Sequence, residues 1–147
     1  MPSCRVEYGR KPAVAGFTLI ELMVTVAIVA ILATIAIASY DFAMVKARRG
    51  AAEGCLQEAA QFMERFYTTN LAYDKDSGGG NVSAPACSQD VSPFYTVSFA
   101  TGEPTPTTYA LQAVPTSAQK DSRCGTLSIN HRGQKGATGT TGPTGCW

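Results

Sequence analysis

From Phe17 to Ala38 the chain is apolar at nearly every position, and its only charge is Glu21. A run of this length is what one helix needs to cross a hydrocarbon core about 30 Å thick, so the pattern predicts a membrane-spanning helix over 17–38. A carboxylate inside such a helix costs about 2.5–3.5 kcal/mol on insertion scales and calls for a partner or a function. Beyond it the pattern becomes amphipathic. No proline falls between Tyr40 and Asn70, and Ala52, Leu56, Ala59, Met63 and Phe66 recur at the spacing of one helix face, with Phe62 beside them. The economical expectation is one continuous helix from Phe17 to Asn70, on the order of 80 Å long, whose second half packs on a globular head. The aromatic and methionine stripe is expected to be that head's core and not a cofactor site. Gly50 and Gly54 form a GxxxG spacing among polar neighbours, which reads as a flexible point or as close packing against a sheet.

Helical periodicity disappears from Leu71 to Pro93, where Asp74-Lys75-Asp76-Ser77-Gly78-Gly79-Gly80 and Pro85 mark a solvated loop. A calcium loop on Asp74, Asp76 and Gly79 fails, because Gly78 and Pro85 stand where an oxygen ligand and a glutamate are required. The three glycines lack the ending of a phosphate loop. Strict alternation then appears at Tyr95, Val97 and Phe99, at Tyr109, Leu111 and Ala113, and at Leu127 and Ile129, each run bounded by glycine or proline. The expected fold class is therefore α+β: a long N-terminal helix over a small antiparallel sheet with one apolar face.

The start of the chain departs from an ordinary secretory signal, since the small residues Ala15 and Gly16 precede the apolar run and do not follow it. Gly16-Phe17-Thr18-Leu19-Ile20-Glu21-Leu22 after a short basic leader resembles the class III signal of type IV prepilins and type II secretion pseudopilins. The resemblance implies cleavage between Gly16 and Phe17 by an inner-membrane prepilin peptidase, N-methylation of Phe17, and insertion into a helical filament through the apolar segment. Glu21 would then be the assembly carboxylate, answered by a neighbour's new amino terminus, and breaking such a pair typically costs 3–5 kcal/mol. Gln61-Phe62-Met63-Glu64-Arg65-Phe66-Tyr67, Cys124-Gly125-Thr126-Leu127, Gly133-Gln134-Lys135-Gly136 and the terminal Cys146-Trp147 resemble PilE-like minor pilins in particular. One departure stands out: Ala38 occupies the place where many pilins carry a proline. The implied division is a leader over 1–16, a filament-core helix over 17–38, its continuation over 39–70, and a pilin head over 71–147.

Charge and cysteines refine this picture. The 147-residue chain has a formal charge of +1. Removing the leader, with Arg5, Arg10, Lys11 and Glu7, moves it to −1, which points to no acidic or basic partner overall. The leader's cations favour a cytoplasmic N-terminus, although Lys46, Arg48 and Arg49 beyond the apolar run oppose that orientation. With Cys4 in the leader, Cys55, Cys87, Cys124 and Cys146 form an even set that allows three pairings in an oxidising compartment. The pilin resemblance implies a C-terminal bridge between Cys124 and Cys146, leaving Cys55 with Cys87. Inside that bridge glycine recurs at every third residue from Gly133 to Gly145, a collagen period far too short for a triple helix, so a disulfide-closed surface loop is expected.

No CxxC or zinc spacing occurs, and neither a metal nor a cofactor is expected. His131, without a candidate nucleophile or second ligand, reads as exposed and not catalytic. Enzymatic activity is not expected. The expected partners are other pilins in the filament, prepilin peptidase and the inner-membrane pilus assembly machinery, first as a single-pass membrane protein with a periplasmic head and then on an extracellular pilus. Lys120, Arg123, Arg132 and Lys135 make the C-terminal region locally basic. They are candidates for phosphate-backbone contact if the head binds DNA. An adhesive pilin, a permanently anchored periplasmic module and a secretion pseudopilin are the alternatives. The absence of carboxylates after Asp121 leaves the acidic calcium site of the major pseudopilins unsupported.

Overall fold

A computed structural model describes residues 16–147; the leader through residue 15, with Cys4, and the side chain of Ala38 lie outside the described residues. The chain divides into two compact units, Met1–Ser39 and Tyr40–Trp147.

One helix, α1, runs from Leu19 to Asn70 without a break and passes through residue 38. Its start is capped from within the signal motif. The Thr18 hydroxyl accepts the Glu21 backbone N–H at 3.3 Å, while the Thr18 carbonyl accepts that of Leu22 at 3.2 Å. A threonine before the first turn is a favoured cap because its oxygen satisfies an N–H that the helix cannot. In the first unit, α1 exposes its apolar side chains all round; Leu19, Ile20, Val26, Ile31 and Ile37 are each more than half exposed. Mean hydropathy there reaches 2.6 over 18 residues, and this is the one helix among the described residues long and apolar enough to cross a membrane.

The second unit is a helix on a four-stranded antiparallel sheet. Strands β1 (Tyr95–Phe99), β2 (Ala110–Pro115), β3 (Leu127–Asn130) and β4 (Lys135–Ala137) lie in sequence order, so each pairs with its chain neighbour. Val97 faces Ala113 across β1 and β2, Leu111 faces Ile129 across β2 and β3, and Ile129 faces Lys135 across β3 and β4. Period-two alternation sends Leu111, Ala113, Leu127 and Ile129 inward, where they share a core with Ala52, Leu56, Ala59 and Met63 of α1. Tyr73, Tyr95 and Tyr109 complete it.

Three sequence expectations change. Phe62 is exposed and Phe66, 6.2 Å away, is only half-buried, and neither joins the core, so the core stripe is narrower than the aromatic pattern suggests. Gly50 and Gly54 are exposed on an unbroken helix, and an added Cβ at either would meet nothing within 4 Å, so they neither bend α1 nor pack closely. The segment Gly133–Gly145 is not all loop. It contributes β4 and a single 3-10 turn, Pro143–Gly145. Its glycine period has separate local causes: Gly133 takes φ 70° in the β3–β4 turn, and at Gly139 an added Cβ would collide with the Arg123 carbonyl.

Two disulfides tie this unit together. Cys55 on α1 is bonded to Cys87 in the long loop, and Cys124 to Cys146 across 22 residues at the C-terminus. In that long loop, Asp76 spends its carboxylate locally, accepting the Gly78 and Gly80 N–H groups at 2.9 and 2.7 Å. Among the described residues no three His, Cys, Asp or Glu side chains converge as metal ligands.

Candidate functional site

Two places among the described residues carry candidate chemistry. The first is the signal motif itself. Gly16 and Phe17 precede the helix and are exposed, Phe17 by 78 %. Glu21 lies three residues after the capping Thr18, in the first turn of α1, where the unpaired N–H groups favour an acid. The threonine and the glutamate of the motif thus have a local role, the cap-and-acid pattern of a helix start, which the sequence already contained. Glu21 is exposed, and among the described residues no cation lies within ion-pair distance of it.

The second is a basic groove of about 570 Å³ in the Tyr40–Trp147 unit, between the start of that unit's helix and the segment Ala118–Arg123. Tyr40, Phe42 and Val45 give its apolar wall. Five cations, Lys46, Arg48, Arg49, Lys120 and Arg123, outnumber the carboxylates of Asp41 and Asp121. The Arg123 guanidinium sits 5.5 Å from the Phe42 ring, and that of Arg48 lies 3.7 Å over Phe94, so both are held by aromatic faces.

Beneath the groove, Arg49 is spent on structure. Its Nη1 donates to both oxygens of buried Asp121, at 3.0 and 3.3 Å, and to Cys124 Sγ. Asp121 also accepts the Cys124 N–H at 3.3 Å and the Tyr95 hydroxyl at 3.4 Å. Gln119 donates from one amide nitrogen to the Val45 carbonyl and to the Tyr95 oxygen. This network fixes the loop bearing Lys120 and Arg123 against α1. Arg49 also reaches Glu53 at 3.8 Å. Burial raises the Glu53 carboxyl above its ordinary range, while Arg49 and Lys135 pull it back down.

Of the four basic residues singled out in the sequence, the structure brings Lys120 and Arg123 together in the groove. Lys135 stands on β4, 4.7 Å from the Trp147 ring, beside a second opening lined by Lys46, Arg49 and Trp147. Arg132 lies apart in the β3–β4 turn, its N–H donated to Asn130. In the sequence Lys46 and Arg48 bear only on membrane orientation, and it is the fold that places them with Lys120 and Arg123. His131 is half-buried and turned edge-on to Tyr109 at 6.5 Å, so it is less exposed than expected.

At the other end of this unit's helix, Tyr73 and Tyr109 both donate to the Glu64 carboxylate, at 3.1 and 3.0 Å. Tyr67 stacks on Tyr73 with ring centres 4.5 Å apart. Burial, reinforced by the Glu64 hydrogen bond, pushes Tyr73 up to about 12 and raises Tyr109 as well.

With this geometry in hand, comparison with known proteins defines the class. The prokaryotic N-terminal methylation motif matches residues 11–37, spanning Gly16, Phe17 and Glu21. A type IV pilin from Shewanella oneidensis is 34 % identical, the alignment covering 70 % of this chain and 97 % of that one, with a TM-score of 0.49. The non-core minor pilin PilV of Neisseria meningitidis is 21 % identical over 67 % of this chain and 90 % of its own, with a TM-score of 0.48. No curated protein sequence matches. More particularly, residues 38–128, over half the chain, match the family described as type IV minor pilin ComP, DNA uptake sequence receptor, and the chain belongs to that family of minor pilins. Membership carries a structural role, with membrane anchoring through the apolar helix, processing by prepilin peptidase, and assembly with other pilins into a pilus.

Proposed function

We propose that this minor pilin displays a DNA-binding surface on a type IV pilus. The observation that carries the reading is the groove: Lys46 and Arg48 from the helix and Lys120 and Arg123 from a segment over seventy residues later converge within the stretch that matches a family described as a DNA uptake receptor. Among the described residues none of these four has a carboxylate within ion-pair distance, which leaves them free for phosphates. Lys135 on its tryptophan extends the same basic surface, whereas Arg132 stands outside it. Before assembly the chain is held in the inner membrane by residues 17–38, with the head in the periplasm. Prepilin peptidase cuts between Gly16 and Phe17 and methylates Phe17, and the inner-membrane assembly machinery receives the product. Glu21, with no cation within ion-pair distance among the described residues, accepts the amino terminus of the adjacent subunit. The family match supports a pilus over a secretion pseudopilin.

Duplex DNA binding measured by fluorescence anisotropy across a salt series tests this reading. Each phosphate neutralised contributes about −0.9 to the slope of log K against log salt. The double variant K120E/R123E is expected to bind at least about tenfold more weakly and to flatten the slope by about 2. An affinity indifferent to salt, or to this substitution, overturns the proposal.

A further inference from the structure

The groove has a feature that DNA binding does not explain: its cations are mixed with exposed aromatics, and it begins where the membrane segment ends. Tyr40 and Phe42, 65 % and 54 % exposed, stand two and four residues after the apolar run, and Lys46 and Arg48 follow within ten. Lys46 is exposed there, and the Arg48 guanidinium is held on the Phe94 ring. Tyrosine and basic side chains are the usual anchors at a bilayer surface, where an aromatic body sits at headgroup level and a long cationic stem reaches a phosphate. Lys120 and Arg123, both exposed, add two more cations from the other wall of the same groove.

From this we infer that the Lys46–Arg48–Lys120–Arg123 groove is a docking site for anionic phospholipid headgroups, which holds the second unit down on the leaflet while the subunit waits in the membrane. The occupant follows from charge complementarity and from chain continuity, because Tyr40 and Phe42 of the groove follow the apolar run within four residues. The same site accounts for an oddity of the sequence. Lys46 and Arg48 stand on the side of the apolar run where orientation rules disfavour them, and here they have work at that surface. Asp41, the exposed carboxylate of the groove, limits the attraction but is outnumbered. Docking of this kind is released when the subunit is drawn into a filament, which frees the same cations for another polyanion. The inference rests on membrane anchoring and does not require the DNA reading.

The test uses the full chain in nanodiscs of phosphatidylcholine alone and of phosphatidylcholine with phosphatidylglycerol, followed by amide hydrogen exchange. Residues 40–49 and 118–124 are expected to exchange at least about tenfold more slowly in the anionic discs, since each cation near an anionic leaflet contributes about fivefold. This protection is expected to disappear in K120E/R123E and in high salt, to weaken in Y40A/F42A, and not to be reproduced by inorganic phosphate added to neutral discs. The charge-neutral K120Q/R123Q, altered only at exposed positions, guards against misfolding and should show an intermediate loss. Equal protection in neutral and anionic discs overturns the inference, as does protection unaffected by charge reversal or appearing only when duplex DNA is added. Failure of the DNA reading looks different: lipid protection persists while DNA affinity is indifferent to salt and to K120E/R123E.

Discussion

Asp121 stands out in the sequence only as the last carboxylate of the chain, yet in the structure it joins α1, β1 and the C-terminal disulfide. Its partner Arg49 lies 72 residues away, and no local pattern reports a pairing at that distance. Removing one member of a buried pair strands the other charge in a medium that solvates it poorly. Arg49→Met is therefore expected to cost about 3–5 kcal/mol in chemical denaturation. Asp121→Asn, which keeps a hydrogen-bonding side chain beside Tyr95, is expected to cost less. The tyrosines at the far end of this helix make a second residue-scale prediction. Below pH 10 the folded and unfolded chains both keep Tyr73 and Tyr109 protonated, so stability does not change on their account. As pH rises from 10 to about 12 the unfolded chain loses those protons while the folded chain keeps them, and stability falls. In Glu64→Gln the phenol absorbance is expected to titrate at lower pH than in the parent, and an unchanged titration would mean that Glu64 has no part in holding the protons.

At the scale of elements, much was legible because the pattern and the packing agree. The helix stripe Ala52, Leu56, Ala59 and Met63 is buried as its spacing requires, and the inward positions of β2 and β3 are those that alternation selects. Phe62 misled because hydrophobicity was read without the width of the face. The strand β4 was missed because Lys135-Gly136-Ala137 is too short to alternate and has no side chain at its centre, where Gly136 passes close to Ser128. In that region the disulfide supplies what a three-residue strand cannot. Closing a loop of 22 residues restricts the unfolded chain by about 3 kcal/mol. The variant C124S/C146S is expected to lose about that much in denaturant titration, with the damage seen first as faster amide exchange in β4 and in the loop bearing Arg123. Exchange that accelerates only around Cys87 would contradict this division of labour.

For the whole molecule, the apolar surface of α1 before Ser39 is the dominant fact: an exposed greasy helix is stable only in lipid or against other copies of itself. The sequence announced this clearly, together with the signal that would expose its end, because the motif is local and its chemistry sits in consecutive residues. The basic groove was only half legible. Lys120 and Arg123 could be picked out as local charges, but their meeting with Lys46 and Arg48 is a product of the fold. The central claim, a processed pilus subunit, is tested most directly by mass spectrometry of N-terminal peptides from sheared, purified pili. The account predicts that this chain is present there and begins at N-methylated Phe17, and that Glu21→Ala removes it from the sheared fraction while leaving it in the membrane. A chain recovered from membranes only, still beginning upstream of Gly16, would contradict it.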